Sequence, residues 1–301
     1  MDEHLAAFRR MATPVRRSVV ELIATGVLDA ELAALAWILV EARLPLVVAG
    51  LVRNAGKTTL LEALLDFLPA TTRRMDLGGA AEDFAWLPEA AALGWTSDDR
   101  DRAAAEAALP ITPATGYLVA AELSPHLPIY TWGRAARTLV RAASLGYGIG
   151  ATIHADRLEE VHDELRSPEV GLTDDELSYL GLVLIIRPEP DTEGRLRRRV
   201  VAAHYARPVG RDEHGHVQRL PPAVLAVRDE GTDRLEHFAW GVMPELAVRL
   251  GRRSGELEAD AARRAELLGS LADRGIVDVE SVRSAIADER AAAGAARPRP
   301  N

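Results

Sequence analysis

Apolar positions recur along the first two-thirds of the chain in two rhythms. Unbroken runs such as Leu46-Val47-Val48-Ala49, Gly116-Tyr117-Leu118-Val119-Ala120 and Leu180–Ile186 read as strands buried on both faces. Between them, apolar residues fall at helical spacing: Val19, Leu22 and Ile23, then Leu32, Leu35, Ala36 and Leu39, then Leu60, Leu61, Leu64 and Leu65. The first two sets predict a pair of amphipathic helices over 18–41, broken near Gly26, with Asp29 as N-cap of the second. A helix is also expected over 133–145, a surface helix over the charged, alanine-rich stretch 97–109, and a short strand near 73–79. The run 180–186, a Pro/Gly/Asp turn and the arginine-rich entry into Val200-Val201-Ala202 predict a hairpin at a sheet edge. Strands alternating with helices over 20–205 imply an α/β class with a parallel, helix-flanked sheet. Beyond Arg207 the texture changes: short strands at 222–227 and 235–240, then helices over 243–290 with a stop at Gly275 and a new start at Asp278. The expected organisation is a flexible arm (1–17), an α/β domain (18–207), a small and mostly helical C-terminal α+β domain (208–290) and a disordered tail (291–301).

Composition narrows the function. A net charge of −9 argues against general affinity for nucleic acid or anionic membranes, so the Arg195–Arg199 cluster reads as an exposed strand. The absence of cysteine removes disulfides, thiolate zinc sites and cysteine nucleophiles. The eight histidines show no metal-ligand spacing such as H-E-x-x-H. No apolar run reaches the length of a membrane span and the acidic start Met1-Asp2-Glu3 is unlike a signal peptide, so a cytoplasmic chain is expected.

The chemistry concentrates after the first strand, at Gly50-Leu51-Val52-Arg53-Asn54-Ala55-Gly56-Lys57-Thr58-Thr59. A strand, a loop and a helix opening on Gly-Lys-Thr form the context of a phosphate-binding P-loop. Backbone N–H groups at the helix start face an anion, the lysine reaches the β/γ-phosphates and the first hydroxyl, Thr58, holds Mg²⁺. The usual spacing would put glycine at position 51; here Gly50 lies one residue earlier, so either the loop is one residue longer or its first turn forms without glycine. Asn54 suits a left-handed position. Lys57 is the only lysine among 36 basic residues, kept where a compact point charge suits a phosphate. Glu122, at the end of the strand from Gly116, is the candidate for reaching the metal of a bound nucleotide.

The order of these pieces resembles the traffic ATPases of type II and type IV secretion systems and pilus assembly, closest to their archaeal and Tad-pilus branch. Leu32–Glu41 running into the loop, Glu82-Asp83 with Leu87 and Trp95, Tyr117–Glu122, and Thr152-Ile153-His154-Ala155-Asp156 with Ser167-Pro168 carry the likeness, together with Arg263–Leu268 and Gly275-Ile276. The resemblance covers roughly residues 20–290 and implies a RecA-like P-loop ATPase core that binds ATP and Mg²⁺. It also implies a homohexameric ring working with an inner-membrane platform protein, cytoplasmic or peripheral at the membrane. Carried over by position, Gly50, Asn54, Ala55, Gly56, Lys57, Thr58 and Thr59 bind the nucleotide, and Thr58 and Glu122 serve the metal. Glu82 is then the general base and His154 senses the γ-phosphate. The chain departs from that family where Glu122 is followed by Leu123-Ser124-Pro125, without the family's arginine, and where Gly146-Tyr147 replaces Gly-His. The N-terminal domain that usually precedes the core has no counterpart in the resemblance, so a core-only member is expected. The alternative is a non-catalytic nucleotide-binding subunit that assembles with a full-length ATPase or the platform.

Overall fold

The computed structural model describes residues 16–95, 111–191, 193–211 and 213–296. Five parallel strands form its centre: β1 (Leu46–Ala49), β2 (Arg73–Asp76), β3 (Gly116–Leu123), β4 (Gly148–Ile153) and β5 (Leu182–Pro190). The predicted hairpin then adds β6 (Leu196–Tyr205) antiparallel to β5, but inside the sheet and not at its edge, since residues 223–227 pair along its other side. Strands β7 (Gly210–Arg211) and β8 (Val217–Gln218) make a separate ribbon, and β9 (Ala223–Asp229) and β10 (Arg234–His237) rejoin the main sheet. The spatial order is β10-β9-β6-β5-β1-β4-β3-β2. The α/β class and the helix-flanked, mostly parallel sheet expected from the sequence are present.

Alternation along each strand sends neighbouring residues into two cores. Leu46, Val48, Leu182 and Leu184 share one with α1 (Val19–Ala24), α2 (Ala30–Glu41) and α3 (Lys57–Leu65). Val47, Ala49, Val183 and Ile185 share the other with α4 (Gly133–Ala142), α5 (Leu158–Arg166) and the short α6 (Asp174–Leu177). Local chemistry sets the helix starts: the Ser18 hydroxyl accepts from Glu21 N at 3.0 Å, and Asp29 accepts from Leu32 N at 2.9 Å. Gly26, at φ +72°, turns the chain between them.

Three expectations change. Helix α2 is not amphipathic: every residue from Leu32 to Val40 is buried. The reason lies at the far end of the chain, where α7 (Met243–Arg249), α8 (Ser254–Asp273) and α9 (Val279–Ala296) follow the sheet, and α8 covers the outer side of α2. Residues from 208 onward thus share both sheet and core with the rest, since Leu257, Leu268, Leu271, Val282 and Ile286 pack in the cluster that holds Trp37 and Phe67. Trp37 stacks on Phe67 with ring centres 5.0 Å apart, and the Arg264 guanidinium lies 4.6 Å over Trp37 while pairing with Glu41 at 2.6 Å. Residues 291–296, expected in a disordered tail, are helical, for α9 runs to Ala296; the rest of that expected tail lies outside the described residues. The surface helix expected at 97–109, like Arg9 and Arg10 of the arm, lies outside the described residues; Arg16 pairs with Asp66 at 2.8 Å and Arg17 with Glu21 at 2.9 Å. Among the described residues, no helix is long and apolar enough to cross a membrane.

The packing of α8 on α2 makes Leu268→Ala a test of unity. It should cost about 2–5 kcal/mol, the usual range for emptying a well-packed leucine site, in one urea transition seen alike by far-UV circular dichroism and tryptophan fluorescence. A second prediction concerns pH. Burial pulls the His237 imidazole down, but the Asp29 carboxylate 2.7 Å from its Nε2 outweighs this and leaves its pKa above the usual 6.5. Asp29, despite burial, is held below 3.8 by the same contact and by its cap hydrogen bond. The pair therefore stabilises fully between pH 3.8 and 6.5, and that contribution fades as pH rises through the folded His237 value or falls through the folded Asp29 value. The destabilisation caused by His237→Ala should accordingly be larger at pH 6 than at pH 8.5 in urea titrations.

Candidate functional site

Residues 50–56 carry the chain from the end of β1 to the start of α3. Gly50 continues the strand pairing, its N–H donating to Ile153 O at 3.1 Å, and a Cβ there would lie 2.7 Å from Ile186 O. Gly50 therefore keeps the close-packed strand-end position, with Leu51 and Val52 turned to solvent. A tight turn follows, closed by Ala55 N to Val52 O at 3.1 Å, with Asn54 at φ +66°. Gly56, at φ +100°, is the N-cap of α3 and brings no side chain to its first turn. That turn, with Thr58 exposed beside it, keeps its N–H groups available to an anion.

Lys57 is the first residue of α3 yet its side chain is buried, because it curls back over the loop. Its Nζ donates to Gly50 O at 2.9 Å and lies 3.3 Å from Glu122 Oε1 and 3.4 Å from His154 Nδ1. Three strands produce this meeting. β4 runs between β1 and β3, so the residue just past the end of β4, His154, and the end of β3, Glu122, open beside the loop. Thr152 Oγ1 donates to Ala121 O at 2.7 Å, fixing the two strand ends, and a register shift between Ala120 and Leu123 marks the irregularity at which Glu122 sits. His154 Nε2 lies 2.7 Å from Glu122 Oε1, and its Nδ1 lies 3.2 Å from Leu51 O.

The electrostatics are unbalanced. Glu122 Oε1 is enclosed, 3.3 Å from Lys57 Nζ and 2.7 Å from His154 Nε2, yet no donor meets it in hydrogen-bond geometry. Burial lowers the Lys57 pKa from its ordinary value, and Glu122 only partly restores it. A buried cation with one carboxylate for company favours an arriving anion.

Of the residues singled out in the sequence, the structure brings Gly50, Lys57, Glu122 and His154 into contact, with Asn54, Ala55, Gly56, Thr58 and Thr59 in the loop and helix start beside them. Glu82 is placed differently. Its Oε2 accepts from Gly78 N at 2.8 Å, and its Oε1 accepts from Phe84 N and Trp86 Nε1, both at 2.9 Å. These bonds brace its own loop, which docks through Ala80 N on Pro128 O at 2.8 Å. Tyr130, two residues on, lies near Glu122, and burial followed by that carboxylate's charge raises its pKa. Nothing in the sequence marked Tyr130, a lone aromatic in a loop. The arginine cluster is also more structured than an exposed strand: Arg197 pairs with Asp191 at 3.0 Å and Arg199 with Asp233 at 2.8 Å, while Arg198 Nε reaches the loop and donates to Asn54 O at 3.0 Å. No family model matches the chain, and no curated protein matches it significantly.

The buried Lys57–Glu122 contact can be weighed by a double-mutant cycle. Lys57→Met and Glu122→Gln should each destabilise, and the double variant should recover about 1–3 kcal/mol of their sum, within the range for residues in direct charge contact; urea unfolding of the four proteins measures it.

Proposed function

We propose that the chain binds a nucleoside triphosphate with Mg²⁺ at the 50–59 loop and hydrolyses it, as a RecA-like motor subunit of a type II/IV secretion or pilus-assembly system. The observation that carries the nucleotide reading is the convergence of Lys57, Glu122 and His154. These residues lie far apart in sequence, were singled out by separate motifs, and come within 3.4 Å of one another. The motor assignment rests on the resemblance of those motifs, and the ring, the platform partner and the place at the membrane are proposed with it.

The residues fit the cofactor. Lys57 is a desolvated cation facing the open first turn of α3, which suits the β/γ-phosphates. Glu122 supplies a carboxylate oxygen lacking a donor, and Thr58 an exposed hydroxyl, the pair that would hold Mg²⁺. Mg²⁺ there would neutralise charge on the phosphate oxygens. His154 touches both Lys57 and the Leu51 carbonyl, so a change at the phosphate end would be felt by the loop and by Glu122 through one ring.

A second reading has its own support. The carboxylate carried over as general base, Glu82, spends both oxygens on its own loop. A chain that binds nucleotide to stabilise assembly, without turning it over, accords with that.

Single-turnover hydrolysis of Mg·ATP at high protein concentration separates the two. Under the motor reading, phosphate release is detectable and Lys57→Ala abolishes it, while Glu82→Gln, if Glu82 leaves its loop to act as base, slows it by about 10²–10⁴-fold. ATP binding without phosphate release above the Lys57→Ala background would establish the non-catalytic reading.

A further inference from the structure

On the side of the loop away from Glu122 and His154, the structure holds a cavity of about 530 Å³. One wall is the loop itself, Val52 to Gly56; the other is the β5–β6 hairpin at Ile186, Pro188, Leu196 and Arg198, with Leu22 of α1 at the back. The volume falls in the range of small-molecule sites, and the lining mixes apolar side chains with threonines, Asn54 and arginines in nearly equal share.

The polar groups are unusual in kind. Arg17, Arg53, Arg197 and Arg198 all line the cavity, and among the described residues no carboxylate does. Arg17 and Arg197 are paired with acids that lie outside the lining. Arg198 makes its hydrogen bond to the neutral Asn54 carbonyl, so its guanidinium keeps its full charge at the mouth of the loop. Packing is close where the two walls meet: a Cβ on Gly56 would lie 2.9 Å from Arg198 Cδ. The hairpin arginine and the phosphate loop are thus built against one another.

We propose that this cavity receives the base and ribose of the nucleotide, with Arg198 as the positioning residue, and that it selects weakly between purines. The proposal rests on the nucleotide reading above. A ligand with its phosphates over Lys57 and the first turn of α3 extends either toward Glu122 and His154 or toward this cavity, and the first side is occupied by the contacts already described. Planar guanidinium groups stack on the faces of bases whatever their identity. Distinguishing guanine strongly takes a carboxylate to accept from its N1–H and N2–H groups, and among the described lining residues, whose acceptors are neutral, there is none. A donor-rich pocket with no acid among its described residues therefore holds ATP and GTP alike.

Calorimetric titration of the full chain with ATP, GTP and inorganic tripolyphosphate tests this. ATP and GTP should bind the wild type within about tenfold of each other, since pairing to a base edge is what gives large discrimination. Arg198→Ala should weaken ATP at least tenfold and leave tripolyphosphate unchanged, while Lys57→Ala weakens both. Photolabelling with 8-azido-ATP should place the label on peptides spanning 186–198 or 17–27. Equal loss of ATP and tripolyphosphate in Arg198→Ala, no loss of either, or a label confined to peptides around Glu122 would overturn the assignment. Failure of the wild type to bind even tripolyphosphate would instead sink the phosphate-loop reading, and this one with it.

Discussion

A charged amine kept out of water is the constraint around which this molecule is arranged. Lys57 enters helix α3 as its first residue, and its ammonium group is dry unless the surroundings compensate. They do so with parts drawn from three strands: the Gly50 carbonyl from the end of β1, the Glu122 carboxylate from β3 and the His154 ring beyond β4. That compensation requires β4 to lie between β1 and β3, and a parallel sheet to bring all three C-terminal ends to one side. Ligand sites of open parallel sheets form at such ends for the same geometric reason. Charge balance at one nitrogen therefore depends on sheet topology, and the two cores that clamp the sheet hold that nitrogen in place.

The parts legible in the sequence are those that local rules dictate. Unbroken apolar runs gave β1, β3 and β5, because strands buried on both faces leave no room for polar residues. Ser and Asp side chains cap helices within a few residues of themselves, so Asp29 could be read as an N-cap without any knowledge of tertiary structure. Gly-Lys-Thr after a strand located the loop for a similar reason, and Asn54 was recognisable as the residue that tolerates a positive φ.

What could not be read was decided by partners distant in the chain. Helix α2 carries a pattern suited to one buried side, yet α8, more than 200 residues away, covers the other, and the alanines among its leucines admit both neighbours. The change of texture after Arg207 looked like a boundary because turns and polar residues cluster there. It is an excursion, and β9 returns to pair with β6. Glu82 fitted a motif, but whether a carboxylate is free or spent bracing its own turn depends on N–H groups whose direction the sequence does not encode. Arg198 was read with its cluster as part of an exposed strand, and Tyr130 was not marked at all, for the converse reason: nothing in their neighbours along the chain announces the loop beside the one or the carboxylate near the other.

The choice of arginine everywhere except position 57 reaches beyond phosphate geometry. Acylation, amine-directed crosslinking and isopeptide tagging all proceed through a side-chain amine. Here the only one lies beneath a loop, with a carboxylate and an imidazole against it. The folded surface therefore offers such chemistry no lysine, and any reagent that did reach one would strike the same nitrogen that holds the loop to the sheet.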